Sequence, residues 1–179
     1  MAVHRFHLAL LAGAATLAVL AACGGGGGGG DGTTLGGSTD GSAGGTTASA
    51  VVDKYVGTWV LCRGTGSMGS EREDLTLVKA SDTTVNFSST DAGYASTDCS
   101  GAVTTSQTDT GTATFVGSET LGADTVDKID IVQNGSTIRQ VIVIRADGKF
   151  YSGVDAGSGG PVDANGYPTT LETEGSAKA

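Results

Sequence analysis

Between Val51 and Asp155 the chain is a succession of short runs rich in Val, Ile, Thr, Phe and Tyr, broken at regular intervals by Gly, Asp, Asn and Ser. This texture constrains the fold more than any other feature. Runs of β-branched and aromatic residues of strand length, bounded by turn residues, specify an all-β domain. Nine candidate strands follow: residues 54–62, 72–80, 83–89, 93–98, 102–109, 112–118, 125–133, 136–145 and 149–154. Asn134-Gly135, between Ile129/Ile131 and Ile138/Val141, is the dipeptide of a type I′ hairpin. Ala146-Asp147-Gly148 and Ala80-Ser81-Asp82 mark two further tight turns. Strands joined by such short turns describe an antiparallel meander. Closing the meander into a barrel of about eight or nine strands removes its exposed edges. A domain of about 105 residues (51–155) is small for a hydrophobic core, so a covalent staple is expected.

The N-terminus sets the address. Residues 1–22 have the parts of an export signal: Arg5 with the α-amino group, an apolar stretch from Leu8 to Leu20, then Ala21-Ala22. That stretch is shorter than the roughly 20 residues needed to span a bilayer. Leu20-Ala21-Ala22-Cys23 resembles, at all four positions, the lipobox of bacterial lipoproteins. The resemblance implies lipidation of Cys23 by a diacylglyceryl thioether and an N-acyl chain of the palmitate type. Two or more chains anchor stably where one is marginal. Gly24, in place of an aspartate, resembles the sorting pattern for the outer membrane of the bacterial envelope. Residues 23–50, almost entirely Gly, Ser, Thr, Ala and Asp, read as a flexible tether with a reach of roughly 30 Å. Residues 156–179 read as an extension that wraps the barrel near Tyr167-Pro168 and then frays, partly disordered.

Cleavage before Cys23 removes Arg5, His4 and His7, so 9 of the 10 basic side chains remain against 19 acidic ones, a formal charge of −10 with no histidine. Such a chain repels phosphate backbones and has no basic footprint for nucleic acid. Its membrane partner is reached through the lipid, because an anionic surface repels the protein itself. Cys62 and Cys99 are then the two remaining cysteines of an exported domain, and they most simply pair.

The sharpest motif of the domain is Gly57-Thr58-Trp59, preceded by Lys54-Tyr55-Val56. It resembles the Gly-X-Trp opening of the lipocalins and related calycin barrels. There the Trp plugs one end of the barrel and an Arg or Lys from a late strand crosses its face. Arg145 is the first candidate for that cation, with Arg139 and Lys149 as alternatives. The resemblance spans residues 51–154 and rests on this motif with the topology, since the second and third lipocalin motifs have no counterpart. Trp59, Cys62, Tyr94 and Cys99-Ser100-Gly101, with Asp163, Gly166, Tyr167 and Pro168, are similar to elements of small lipocalin-like bacterial lipoproteins.

Other motifs carry less. Gly64, Gly66 and Gly69 match a dinucleotide-binding fingerprint, but the helix N-terminus that would bind the pyrophosphate is missing, so they read as a loop. Asp163, Asn165, Gly166 and Glu172 echo a calcium loop whose first position falls on Pro161, which offers no side-chain oxygen, so no metal site is expected. Without histidine there is no Ser-His or Cys-His pair, and the carboxylate pairs Glu71/Glu73 and Asp127/Asp130 read as a solvated outer face. Clustered inward carboxylates of shifted pKa are not expected, and neither is a catalytic residue or a cofactor. The barrel resemblance implies a small apolar ligand held by inward Leu75, Leu77, Val85, Phe87, Ile129 and Ile131. The alternative is a filled barrel serving as a structural or interaction protein of the envelope, with an exposed patch at Tyr94 and Tyr167.

Overall fold

The structure, a computed structural model, describes residues 50–66 and 69–179. The export signal, Cys23 and the tether to residue 49 lie outside the described residues. Eight strands form one sheet: β1 (Gly57–Gly64), β2 (Ser70–Lys79), β3 (Thr84–Tyr94), β4 (Val103–Leu121), β5 (Asp124–Gln133), β6 (Ser136–Ile144), β7 (Phe150–Ser152) and β8 (Ala177–Lys178). Neighbours run antiparallel in the order β7-β6-β5-β4-β3-β2-β1-β8, an all-β meander rolled into a nearly closed barrel. The β5–β6 turn adopts positive φ at both Asn134 (50°) and Gly135 (78°), the backbone that a two-residue type I′ hairpin requires.

The seam is closed by the C-terminus. Ser176 exchanges both backbone hydrogen bonds with Phe150 at the start of β7, each at 2.9 Å. The next two residues then pair with Val60 and Trp59 of β1. The segment expected to fray is thus the last stave of the barrel. Its ladder with β1 stops at Val60, so Leu61–Gly64 is left without a strand partner on that side among the described residues.

Three expectations about the strands need correction. Residues 83–89 and the start of 93–98 belong to one strand, β3, which ends at Tyr94, because Asp91 lies inward opposite Glu73 instead of marking a turn, and residues 95–98 form the loop after it. Residues 102–109 and 112–118 likewise merge into the 19-residue β4, whose Gly111 stays in register with Phe87. Residues 51–55 are a turn ahead of β1. Its Val52 and Tyr55 are fully buried beneath the barrel, where their apolar surface is worth more than three extra ladder positions at 54–56.

Alternation sorts the side chains. Trp59, Leu77, Val85, Ala113, Phe115, Ile129, Ile142 and Phe150 form the interior with the two turn residues. Residues of the opposite parity on the far wall, Val126, Val141 and Val143, form a second cluster with Tyr151 and Tyr167 outside the sheet. Near Cys62 the loop between β3 and β4 folds over the outer face of β1 and β2. It is pinned by the Cys62–Cys99 disulfide, with 6.1 Å between the Cα atoms. Ser70 beneath it donates to the Ser96 carbonyl oxygen (2.8 Å) and accepts from the Cys99 amide (2.7 Å).

Candidate functional site: a one-ended cavity with an acidic mouth

One end of the barrel is plugged. Trp59 is 2% exposed, donates its indole N–H to the Tyr55 carbonyl oxygen at 2.8 Å, and stacks tilted against Phe150 with centroids 5.6 Å apart. The cation over its face is Lys178, with Nζ 5.3 Å from the ring centroid. Arg145, the candidate named from the sequence, lies elsewhere: it pairs with Asp124 at 2.8 Å and covers Tyr151 at 4.4 Å. Strand parity explains the difference. On β6 the inward positions are even-numbered, whereas Lys178 stands directly opposite Trp59 in the β8 ladder and so shares its face. Gly57 makes room for the lysine, since a Cβ there would stand 2.9 Å from Lys178 Cε. Below the plug, the Tyr55 hydroxyl donates to Asp127 at 2.8 Å, and Lys54 pairs with the same carboxylate at 2.7 Å. Burial, reinforced by Asp127, pushes the Tyr55 phenol up, so it stays a donor.

Above the plug lies a cavity of about 110 Å³. All six residues expected to line it do so: Leu75, Leu77, Val85, Phe87, Ile129 and Ile131. Gln140 closes one flank, its amide N–H donating to the Gly153 carbonyl oxygen at 3.0 Å. Toward the other end the wall becomes charged, with Arg63, Glu73, Asp155, Glu172 and Glu174.

The carboxylates overturn the expectation of a solvated outer face. Glu73 and Asp127 are 8% and 7% exposed. On β2, Glu71 and Glu73 share the parity of Leu75 and Leu77, so the strand that turns its leucines inward must turn these carboxyls inward too. Asp130, of opposite parity to Asp127, stays outside and accepts from the Tyr167 hydroxyl at 2.7 Å. Glu73 contacts Arg63 at 3.4 Å and Ser89 at 3.5 Å. Burial, then the neighbouring Asp91, pushes the Glu73 carboxyl up to about 7 against the opposing pull of Arg63. Burial and Glu71 raise Asp91 to about 6. Inward carboxyls of shifted pKa, contrary to the expectation from the sequence, therefore stand at the mouth. Groups of this kind can hold or release a proton near neutrality, or neutralise a cation.

A stability consequence follows. Folded Glu73 and Asp91 hold protons more tightly than their ordinary values of 4.5 and 3.8 allow. The stability of the protonated forms is complete below about pH 4 and is lost as pH rises through 6 and 7. Urea midpoints are expected to fall steadily between about pH 5 and 8. Glu73→Gln should flatten that slope and stabilise the barrel at pH 8 by on the order of 2 kcal/mol. A variant with the parent's slope would remove Glu73 from the account.

The remaining sequence candidates resolve structurally. Gly64, Gly66 and Gly69 belong to the β1–β2 connection, closed by the Thr65 amide donating to the Gly69 carbonyl oxygen at 2.8 Å. Asp163 Oδ1 accepts from the Asn165 and Tyr167 amides at 2.8 and 2.9 Å, and its carboxylate meets Lys128. That carboxylate caps a turn, and among the described residues no cluster of three potential ligands is placed to hold a metal ion. Tyr167 is 8% exposed, packed on the outer cluster with Lys128 4.5 Å above its ring, so it contributes no exposed patch. Its burial depends on chain returning from the C-terminus, which local hydropathy does not signal. No family model, curated protein or solved structure matches the chain, so the site is read from its own geometry.

Proposed function

We propose that the protein is a lipid-anchored lipoprotein of the bacterial envelope, held at the outer membrane through Cys23, whose non-catalytic barrel binds a small ligand with an apolar body. The carrying observation is the cavity of about 110 Å³ lined by Leu75, Leu77, Val85, Phe87, Ile129 and Ile131. Its size compares with the roughly 150 Å³ apolar cavities that take up benzene. The lipobox at Leu20–Cys23 supports the anchoring. The Trp59 plug under a lysine supports the lipocalin-like reading, because it reproduces what the Gly-X-Trp resemblance implies.

In the full-length protein 1-hexanol is expected to bind saturably, shifting amide resonances of Leu77, Phe87 and Ile131. Ala113→Leu, which fills the cavity from β4, should abolish the shifts while leaving the melting temperature within a few degrees. Absence of saturable binding to the parent protein would favour the filled-barrel alternative, a structural or interaction role.

A second reading, general acid–base catalysis, is favoured by the near-neutral pKa values of Glu73 and Asp91. It is the weaker one. The cavity is well below the roughly 300–1,000 Å³ of most small-molecule sites.

A further inference from the structure

The sign of the charge at the cavity mouth is lopsided. Four carboxylates line it against one cation, Arg63, and no lysine. Asp155 is committed to its own turn, accepting from the Ser158 amide at 2.7 Å. Glu73 is not so committed. It is 8% exposed, it lines the cavity, and its two partners stand at 3.4 and 3.5 Å, the outer limit of a hydrogen bond. More negative charge backs it: Asp91 directly opposite on β3, Asp109 opposite Ser89 on β4, and Glu71 two residues away on its own strand. Glu172 and Glu174, from the segment ahead of β8, line the same cavity. A neutral ligand would cover Glu73 and leave it poorly bonded, at a desolvation cost. An anion would meet a wall of its own sign.

Resting on the reading of the cavity as a ligand site, we propose that the ligand is a small amphiphilic cation. Its aryl or short alkyl body sits among Leu75, Leu77, Phe87 and Ile131, and its protonated amine or guanidinium bonds Glu73 beneath Glu172 and Glu174. The cavity volume limits the apolar body to about six carbon atoms, the size of benzene. A charge-assisted bond in this shielded position is stronger than a neutral one. Binding also acquires a pH dependence. The cation favours the ionised forms of Glu73 and Asp91, so affinity rises as these groups lose their protons between about pH 5 and 8, where an alkylamine stays charged.

The test is calorimetric titration of the full-length protein with n-hexylamine, 1-hexanol and hexanoate at pH 5.5 and 8. At pH 8 hexylamine is expected to bind about tenfold tighter than hexanol, with hexanoate weakest. Most of that advantage should vanish at pH 5.5 and in Glu73→Gln, and a smaller part in Asp91→Asn. Hexanol binding retained or strengthened in each variant shows that the cavity is intact. If hexanol equals hexylamine, or hexanoate binds tightest through Arg63, the cavity reading stands and the cationic assignment is overturned. If none of the three binds, the cavity reading fails and takes the proposal with it.

Discussion

Replacing Cys62 and Cys99 together by serine is expected to lower the stability of the barrel by about 4 kcal/mol. The bridge spans 37 positions of sequence, and opening it restores that loop's freedom to the unfolded chain. It also releases the 95–102 loop from the outer face of β1 and β2, exposing Ser70, which is 3% exposed while its hydroxyl bonds Ser96 and Cys99. For a domain of this size the loss corresponds to a fall of roughly 15 °C in melting temperature. The measurement is thermal unfolding followed by Trp59 fluorescence for the parent and the double variant. The parent should fall to the same value in reductant, while the variant does not respond to it. A difference of under about 1 kcal/mol would show that the bridge sits on a barrel that does not need it. The bridge spans the corner where β1 runs past the end of its β8 ladder, so it also steadies Arg63 at the mouth.

What the sequence made legible was whatever depends on strand parity and local turns. Asn134-Gly135 fixed its hairpin, and the period of two along β2, β3 and β5 placed all six cavity residues on one face. The same period placed Glu73 beside Leu75 and Leu77. Polarity there argues against parity, which is why the acidic mouth reads as outer surface from hydropathy alone. A barrel interior can hold carboxyls where it opens to water and where like charges raise their proton affinity, so parity was the better guide. The closure of the barrel was not legible. Lys178 meets Trp59 across 119 positions through a strand of two residues in a polar tail. Neither hydropathy nor propensity marks a stave of that length. Arg145 sits near the last local hairpin, but sequence proximity to β7 says nothing about which face the position just past β6 takes. Tyr167 was hidden for a related reason, since its partners lie on β5 and β6 and its burial requires the returning chain.

Trp59→Ala is expected to cost about 4 kcal/mol, the middle of the range for loss of a buried aromatic. The indole joins four parts of the chain: the 51–55 turn through the Tyr55 carbonyl, its own strand, Phe150 on β7 and Lys178 on β8. Two milder substitutions divide the effect. Trp59→Phe keeps a ring against Phe150 but leaves the buried Tyr55 oxygen without its donor, at about 1–2 kcal/mol. Lys178→Met keeps a flexible stem over the indole and removes only the charge of an exposed residue, at about 0.5–1 kcal/mol. The order Ala, then Phe, then Met, read from urea midpoints, is the prediction. A Lys178→Met loss as large as that of Trp59→Ala would mean that closure is carried by the cation and not by burial. The consequence reaches the ligand site, because Phe150 both packs on Trp59 and lines the cavity. Trp59→Ala should therefore weaken hexanol binding even under conditions where the barrel is fully folded, whereas Lys178→Met should leave it unchanged.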